Sequence, residues 1–277
     1  MHWNIIADSG CDLFDLEKEC KDITYKSVPF IFNIEDKEFI DDEKLDVYGM
    51  VGFMKESKKA SSSACPSPQS WREKMAEGEN NICVTISKNL SGSYQSADIA
   101  VKAVCEEAPG TLAAAVDGCA TGPASVLTVR KLTELIENGE EFESVVNKTE
   151  GYVKGIHTVF ALSCFDNLVK AGRVGKISGI LAASLDFWGV GVEKDGKIAF
   201  HTKVRGKKKA ISAMLEVIKE NGFNDKNVVI SHCMNEPLAL KMKEELEKLD
   251  ENVNVTIFPT RGLNSYYADK AGLIISY

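Results

Sequence analysis

No run of about 18 or more consecutive apolar residues occurs in the 277-residue chain, which excludes a membrane-spanning helix. The start, Met1-His-Trp-Asn-Ile-Ile-Ala-Asp8, lacks a cationic region followed by an apolar stretch of signal-peptide length, so a cytoplasmic location is expected. Eight cysteines are scattered with no CxxC pair, and the four histidines do not cluster with them. That argues against zinc or any other metal and predicts unpaired thiols in a reducing compartment, each acting as a small buried hydrophobe. A concentrated basic face is also missing. With 33 basic and 41 acidic residues the net charge is −8, and nothing suggests a nucleic-acid surface. The local exception is Lys203, Arg205, Lys207, Lys208 and Lys209.

Catalytic signatures are equally scarce. There is no Gly-x-Ser-x-Gly elbow and no ordered Ser, His and Asp pattern. Gly172-Arg-Val-Gly175-Lys176-Ile-Ser178-Gly179 resembles a phosphate loop only superficially, because position 170 is Lys and Ile177 follows the lysine. Gly189-Val-Gly191 lacks the third glycine and following helix of a dinucleotide fingerprint. His232 and Cys233 are adjacent, so in a strand they point to opposite faces and make a poor base and nucleophile.

What is present is an alternation of strands and amphipathic helices. Trp3–Ala7, Val28–Phe32, Ile82–Ile86 and Leu112–Asp117 read as strands. Helical stretches are expected near Ser67–Glu77, Gly92–Glu107, Gly122–Asn138 and Glu141–Lys154. This order predicts an α/β fold with a mostly parallel sheet flanked by helices over residues 1–157. A second, mixed α/β sheet is expected over residues 158–277. It opens at Thr158–Leu162 and continues with a hairpin, Val190–Glu193 and Lys197–Lys203, around Lys194-Asp195-Gly196. Ile211, Met214, Leu215 and Ile218 mark one helix face, and Ala239, Met242, Leu246 and Leu249 another. Strands at Val228–Ser231, Val253–Phe258 and Leu273–Ser276 complete the unit.

Two hydroxyl-rich segments stand out. In Ser61-Ser-Ser63-Ala-Cys65-Pro66-Ser67-Pro68, Ser67 suits an N-cap and Pro68 the first helical position, which leaves the three earlier hydroxyls unexplained. Ser87-Lys-Asn-Leu90-Ser91-Gly92-Ser93-Tyr94-Gln95-Ser96 directly follows a strand. In an open parallel sheet that is where ligands bind and helix N-termini offer free N–H groups to an anion.

These segments resemble the DegV family. Ile6-Ala7-Asp8-Ser9 is similar to its opening strand end, Ser63 to Pro68 to its Thr-Ser-Gln-Pro-Ser-Pro, and Leu90 to Ala97 to its Leu-Ser-Gly-Thr-Tyr-Gln-Ser-Ala. Leu168-Val-Lys170-Ala-Gly172-Arg173 resembles Leu-x-Lys-Gly-Gly-Arg, and Lys203-Val-Arg205-Gly206-Lys207 its Val-Arg-Gly element. The resemblance implies a carrier rather than an enzyme, with no catalytic residues and no cofactor. A palmitate-like fatty acid would lie in a tunnel between the two α/β units, its carboxylate held by Ser63, Ser91, Gly92 and Ser93. Burying a sixteen-carbon chain contributes on the order of 10 kcal/mol, at about 0.8 kcal/mol per CH₂. A separate fatty-acid kinase would form the acyl phosphate, a step of phospholipid metabolism, and Arg205 would belong to its docking surface. The family's C-terminal histidine is absent. Thr260-Arg261-Gly262-Leu-Asn264-Ser265-Tyr266-Tyr267 stands there, with Arg261, Asn264 and Ser265 as candidate replacements and Arg173 as a further head-group neighbour. The alternative is an α/β enzyme acting on a small anion with Ser63 or Cys65 as nucleophile.

Overall fold

Along β1 (Trp3–Asp8), Trp3, Ile5 and Ala7 turn to one side and Ile6 to the other, and all are buried. A strand covered on both faces belongs inside a helix-flanked parallel sheet. The computed structural model describes residues 2–57, 59–174, 186–223 and 227–277. After β1 come β2 (Ile23–Val28), β3 (Ile31–Ile34), β4 (Lys37–Ile40), α1 (Val47–Glu56), β5 (Ser61–Ala64) and α2 (Pro68–Arg72). Then follow β6 (Asn80–Thr85), α3 (Ser93–Glu107), β7 (Leu112–Asp117), α4 (Pro123–Glu137) and α5 (Phe142–Val153).

The first sheet has the order β2-β1-β6-β7, and every pairing in it is parallel. Ile5 and its neighbours pack on α4 and α5, while Ile6 joins Trp71, Ala97 and Val101 of α2 and α3. The expected strand Val28–Phe32 is two strands in two sheets. Pro29 has no N–H to extend the ladder, so β2 ends at Val28 and the chain re-enters a separate sheet at Ile31. That small antiparallel sheet, β4-β3-β5, was not anticipated, because Ser61-Ser-Ser-Ala64 has little intrinsic strand preference. The expected helix Ser67–Glu77 stops at Arg72. The buried Asn81 side chain accepts from the Ala76 N–H and donates to its carbonyl, bending the chain into β6.

The second half comprises β8 (Thr158–Leu162), α6 (Asp166–Lys170), β9 (Phe187–Lys194), β10 (Lys197–Arg205), α7 (Lys207–Glu220) and β11 (Asn227–His232). It closes with α8 (Glu236–Leu249), β12 (Asn254–Pro259), α9 (Gly262–Ala268) and β13 (Leu273–Ser276). Its sheet runs β10-β9-β8-β13-β11-β12, antiparallel except for β11 with β12. Val159 and Ala161 face α7 and α8, whereas Phe160, Leu162 and Ile274 face the opposite way, toward the first half of the chain. α4 also touches this sheet, through Val229 and through Arg130, whose guanidinium donates to Thr256 at 2.9 Å.

Candidate functional site

The pairing Phe32↔Ser63 fixes which way the triple serine points. Ser61 and Ser63 share the face turned toward α9, as alternation requires. Their hydroxyls meet two successive tyrosines: Ser61 Oγ lies 2.7 Å from Tyr266 Oη, and Ser63 Oγ lies 2.8 Å from Tyr267 Oη. The loop after β6 comes alongside. A Cβ on Gly92 would sit 3.4 Å from Cys65 Sγ, in van der Waals contact, so the two segments lie side by side.

The first sheet reverses its winding between β1 and β6, and a crevice opens there beyond their carboxyl ends. The protein fills it with its own carboxylate. Asp8 accepts from Ser93 Oγ at 2.6 Å, from Ile86 N at 2.9 Å and from Gly10 N at 3.2 Å. Burial pushes Asp8 up to about 6, against the opposing pull of these hydrogen bonds. The hydroxyl of Ser93, expected at the head group, is therefore committed inward and does not line the cavity. Ser91 and Gly92 do.

The residues standing where the family has its histidine divide in the same way. Arg261 is 2% exposed and braces the two halves. Its guanidinium donates to Leu13 O at 2.8 Å, Ser27 Oγ at 2.9 Å and Asp41 O at 2.9 Å. Asp12 accepts from the Arg261 and Asn264 N–H groups, and both oxygens of Asp41 accept from the first backbone N–H groups of α9, at Gly262 and Leu263. Desolvation raises Asp12 to about 6 and raises Asp41 as well. Arg261 is not among the residues that line the cavity. Ser265 is fully buried on Thr260 at 2.7 Å and is likewise absent from the lining. Asn264 reaches the lining while tied to Gly10 O and to the Thr121 hydroxyl.

Between these elements and the cavity-facing side of the second sheet lies a cavity with ≈ 190 Å³ open to the centres of water-sized molecules. Phe160, Leu162, Leu168 and Ile274 wall one side; Phe30, Ile86, Leu90 and Leu263 wall the other. Ser63, Ser91, Gly92, Tyr267, Asn264 and Thr121 supply polar atoms, and Arg173 borders it as an exposed cation. Tyr267, Thr121, Glu193 and Lys197 were missed from the sequence. Tyr267 sat within the divergent stretch after Arg261, but nothing in the sequence pairs it with Ser63.

Other features read from the sequence are structural or unassigned. His232 is buried, desolvation lowers its pKa, and its Nδ1 accepts from Asn235 N at 3.2 Å; Cys233 belongs to the apolar cluster. No hydrogen bond joins Ser63 or Cys65 to a histidine or carboxylate among the described residues. The cysteines are free, but only Cys11, Cys83 and Cys233 are buried and Cys105 is exposed; Cys20, Cys65, Cys119 and Cys164 lie in loops at partial burial. Among the described residues no His, Cys, Asp and Glu cluster could hold a metal, and no helix is long and apolar enough to cross a membrane. From Gly175 onward, the segment compared with a phosphate loop lies outside the described residues.

Fold and cavity together define the class: an α/β protein of two large sheets and one small antiparallel sheet around an apolar pocket with a hydroxyl-lined end. The family model "Uncharacterised protein, DegV family" matches residues 2–269. A DegV domain-containing protein of Streptococcus pyogenes serotype M1 is 35% identical, covering 100% of this chain and 99% of the relative. The chain belongs to the DegV family. Among solved structures it resembles the Streptococcus pneumoniae Fatty Acid Kinase (Fak) B3 protein loaded with linoleic acid, at TM-score 0.95 and 34% identity, covering 100% and 99% of the two chains. A DegV family protein from Eubacterium eligens loaded with heptadecanoic acid superposes at TM-score 0.93 with 29% identity, covering 99% and 98%.

Proposed function

We propose that this chain binds one long-chain fatty acid in the cavity between its two α/β units, residues 1–157 and 158–277, and presents the carboxylate to a separate fatty-acid kinase. The observation that carries this reading is an apolar cavity whose neutral donors gather where the β5 strand, the Ser91–Gly92 loop and α9 meet. Apolar walls shelter the methylenes, and a few hydroxyls suffice to orient the head group. The fatty acids carried by similar DegV proteins support it.

In this reading Ser63, Ser91, Gly92 and Tyr267 receive the carboxylate, with Asn264 and Arg173 beside it. Neutral hydroxyls suit a head group that must later react, because charge-assisted pairs are roughly twice as strong and would resist its release. Arg205 and the exposed Lys207, Lys208 and Lys209 would form the docking surface for an acidic partner. Helix stability does not account for them, since cations in the first turn of α7 oppose its dipole. Mass spectrometry of the organic extract of purified protein tests the proposal. Stoichiometric fatty acid is expected, and an extract without lipid from protein that also fails to take up added acid would refute it.

A further inference from the structure

A two-residue turn of the second unit touches the loop of the first that carries Ser91 and Gly92. Asp195 and Gly196 join β9 to β10 with φ of 52° and 72°, the left-handed values that a type I′ turn requires. Glu193 Oε1 accepts from Gly196 N at 2.6 Å and secures the turn from within its own hairpin. The two carbonyls of the turn are used outside the hairpin. Gly196 O accepts from Ser87 Oγ at 2.6 Å and Asp195 O accepts from Asn89 Nδ2 at 2.8 Å, contacts that span 109 and 106 positions. The fit is close: a Cβ on Gly196 would stand 2.6 Å from Ser87 Oγ and 2.9 Å from Asn89 Nδ2.

From Ser87 a set of hydrogen bonds leads to the hydroxyl at the cavity. Ser87 Oγ accepts from Asn89 N at 3.1 Å, and Ser87 O accepts from Leu90 N at 2.9 Å and from Ser91 N at 3.1 Å. Ser91 Oγ in turn accepts from Ser93 N at 3.2 Å. A hydroxyl that accepts from the backbone keeps its proton to donate, so Ser91 can offer that proton to the cavity it lines. The loop is thus held at two points: Asp8 of its own unit binds Ser93, and the turn of the other unit binds Ser87 and Asn89. Of these two anchors, the turn is the one that belongs to the unit supplying Phe160, Leu162 and Ile274 to the opposite wall.

We propose that Ser87 and Asn89 are positioning residues of the head-group site: by clasping the β9–β10 turn they set Ser91 and Gly92 against the second unit, where the carboxylate is received. The inference rests on the acyl-binding reading above. Neither side chain lines the cavity, so each acts through the loop it anchors and not by touching the ligand. The methylenes meet Phe160, Leu162, Leu168 and Ile274, which the clasp does not hold. Loosening it should therefore cost the charged end of the ligand and spare the chain.

Octadecanoic acid and its methyl ester, which keeps the chain and lacks the charge, would compete against a fluorescent acyl probe on wild-type, Asn89→Ala and Gly196→Ala proteins. Asn89 is exposed, so the first variant opens the clasp without disturbing the core; the second drives a methyl group into it from the hairpin side. Each should weaken the acid about three- to tenfold, the scale of one neutral hydrogen bond, while the ester binds as it does to wild type. Lys88→Ala, between the two clasp residues but paired with Asp117, should bind both ligands as wild type does. Unchanged acid affinity in both variants, an equal loss for acid and ester, or a matching loss in Lys88→Ala overturns the positioning role while leaving acyl binding intact. Failure of the acid to displace the probe from wild type overturns the acyl-binding reading, and this role with it.

Discussion

Arg261 offers a test of whether a candidate replacement for the family's histidine serves the ligand or the fold. Truncation to Ala removes three donors to Leu13, Ser27 and Asp41 from a site that is 2% exposed. Each buried acceptor left without a partner costs about 1–3 kcal/mol, and breaking a buried charge arrangement costs about 3–5 kcal/mol in all. That is a large share of a total stability of about 5–15 kcal/mol. The guanidinium also lowers the carboxyls of Asp8, Asp12 and Asp41, which burial drives upward. Without it their ionised forms are penalised further, so the deficit should grow above about pH 6 and shrink where they are protonated. Urea unfolding followed by tryptophan fluorescence, at neutral and at mildly acidic pH, measures both effects. A loss below about 1 kcal/mol, or one equal at the two pH values, would refute the brace. Weakened fatty-acid affinity at unchanged stability would restore Arg261 to the head group.

At the opposite end of the brace, the paired hydroxyls make a smaller prediction. Ser63→Ala and Tyr267→Phe should each weaken fatty-acid binding about three- to tenfold, one neutral hydrogen bond being worth about 0.5–1.5 kcal/mol, without unfolding the protein. Unchanged displacement of a fluorescent acyl competitor would remove the pair from the site. Wild-type stability should fall as pH rises from about 4 to 6, because Asp8 and Asp12, raised from 3.8 to about 6, hold protons in the folded state that the unfolded chain has released. Each contributes at most about 3 kcal/mol to the total fall, and a urea midpoint that is flat or rising across the window would contradict their burial. Arg205→Ala should leave lipid content intact while slowing acyl-phosphate formation with a cognate kinase, since exposed rim charges mainly set association rate and salt dependence. Wild-type turnover across a salt series would remove Arg205 from the docking surface.

Short-range order is what the sequence carried by itself. The apolar run of β1, the Asp195-Gly196 turn, the Ser67 cap with Pro68 behind it, and the 3.6-residue faces of α7 and α8 follow from a chain's local preferences, except that Leu249, expected on the α8 face, is exposed at the helix end. Residue identity also marked the hydroxyl-rich turns. It could not say which hydroxyl each turn would spend internally. Ser91 and Ser93 are two residues apart, yet Asp8, 85 positions from Ser93, draws the latter inward and leaves the former at the cavity. Ser63 meets Tyr267 across 204 positions, and Glu193 enters the lining only because β9 pairs with β8 in one register. A Ser-rich edge strand has no hydrophobic pattern to announce it, so β5 became visible only once β3 paired with it. Long-range pairings of this kind depend on the packing of all three sheets around the cavity, and no local propensity encodes them.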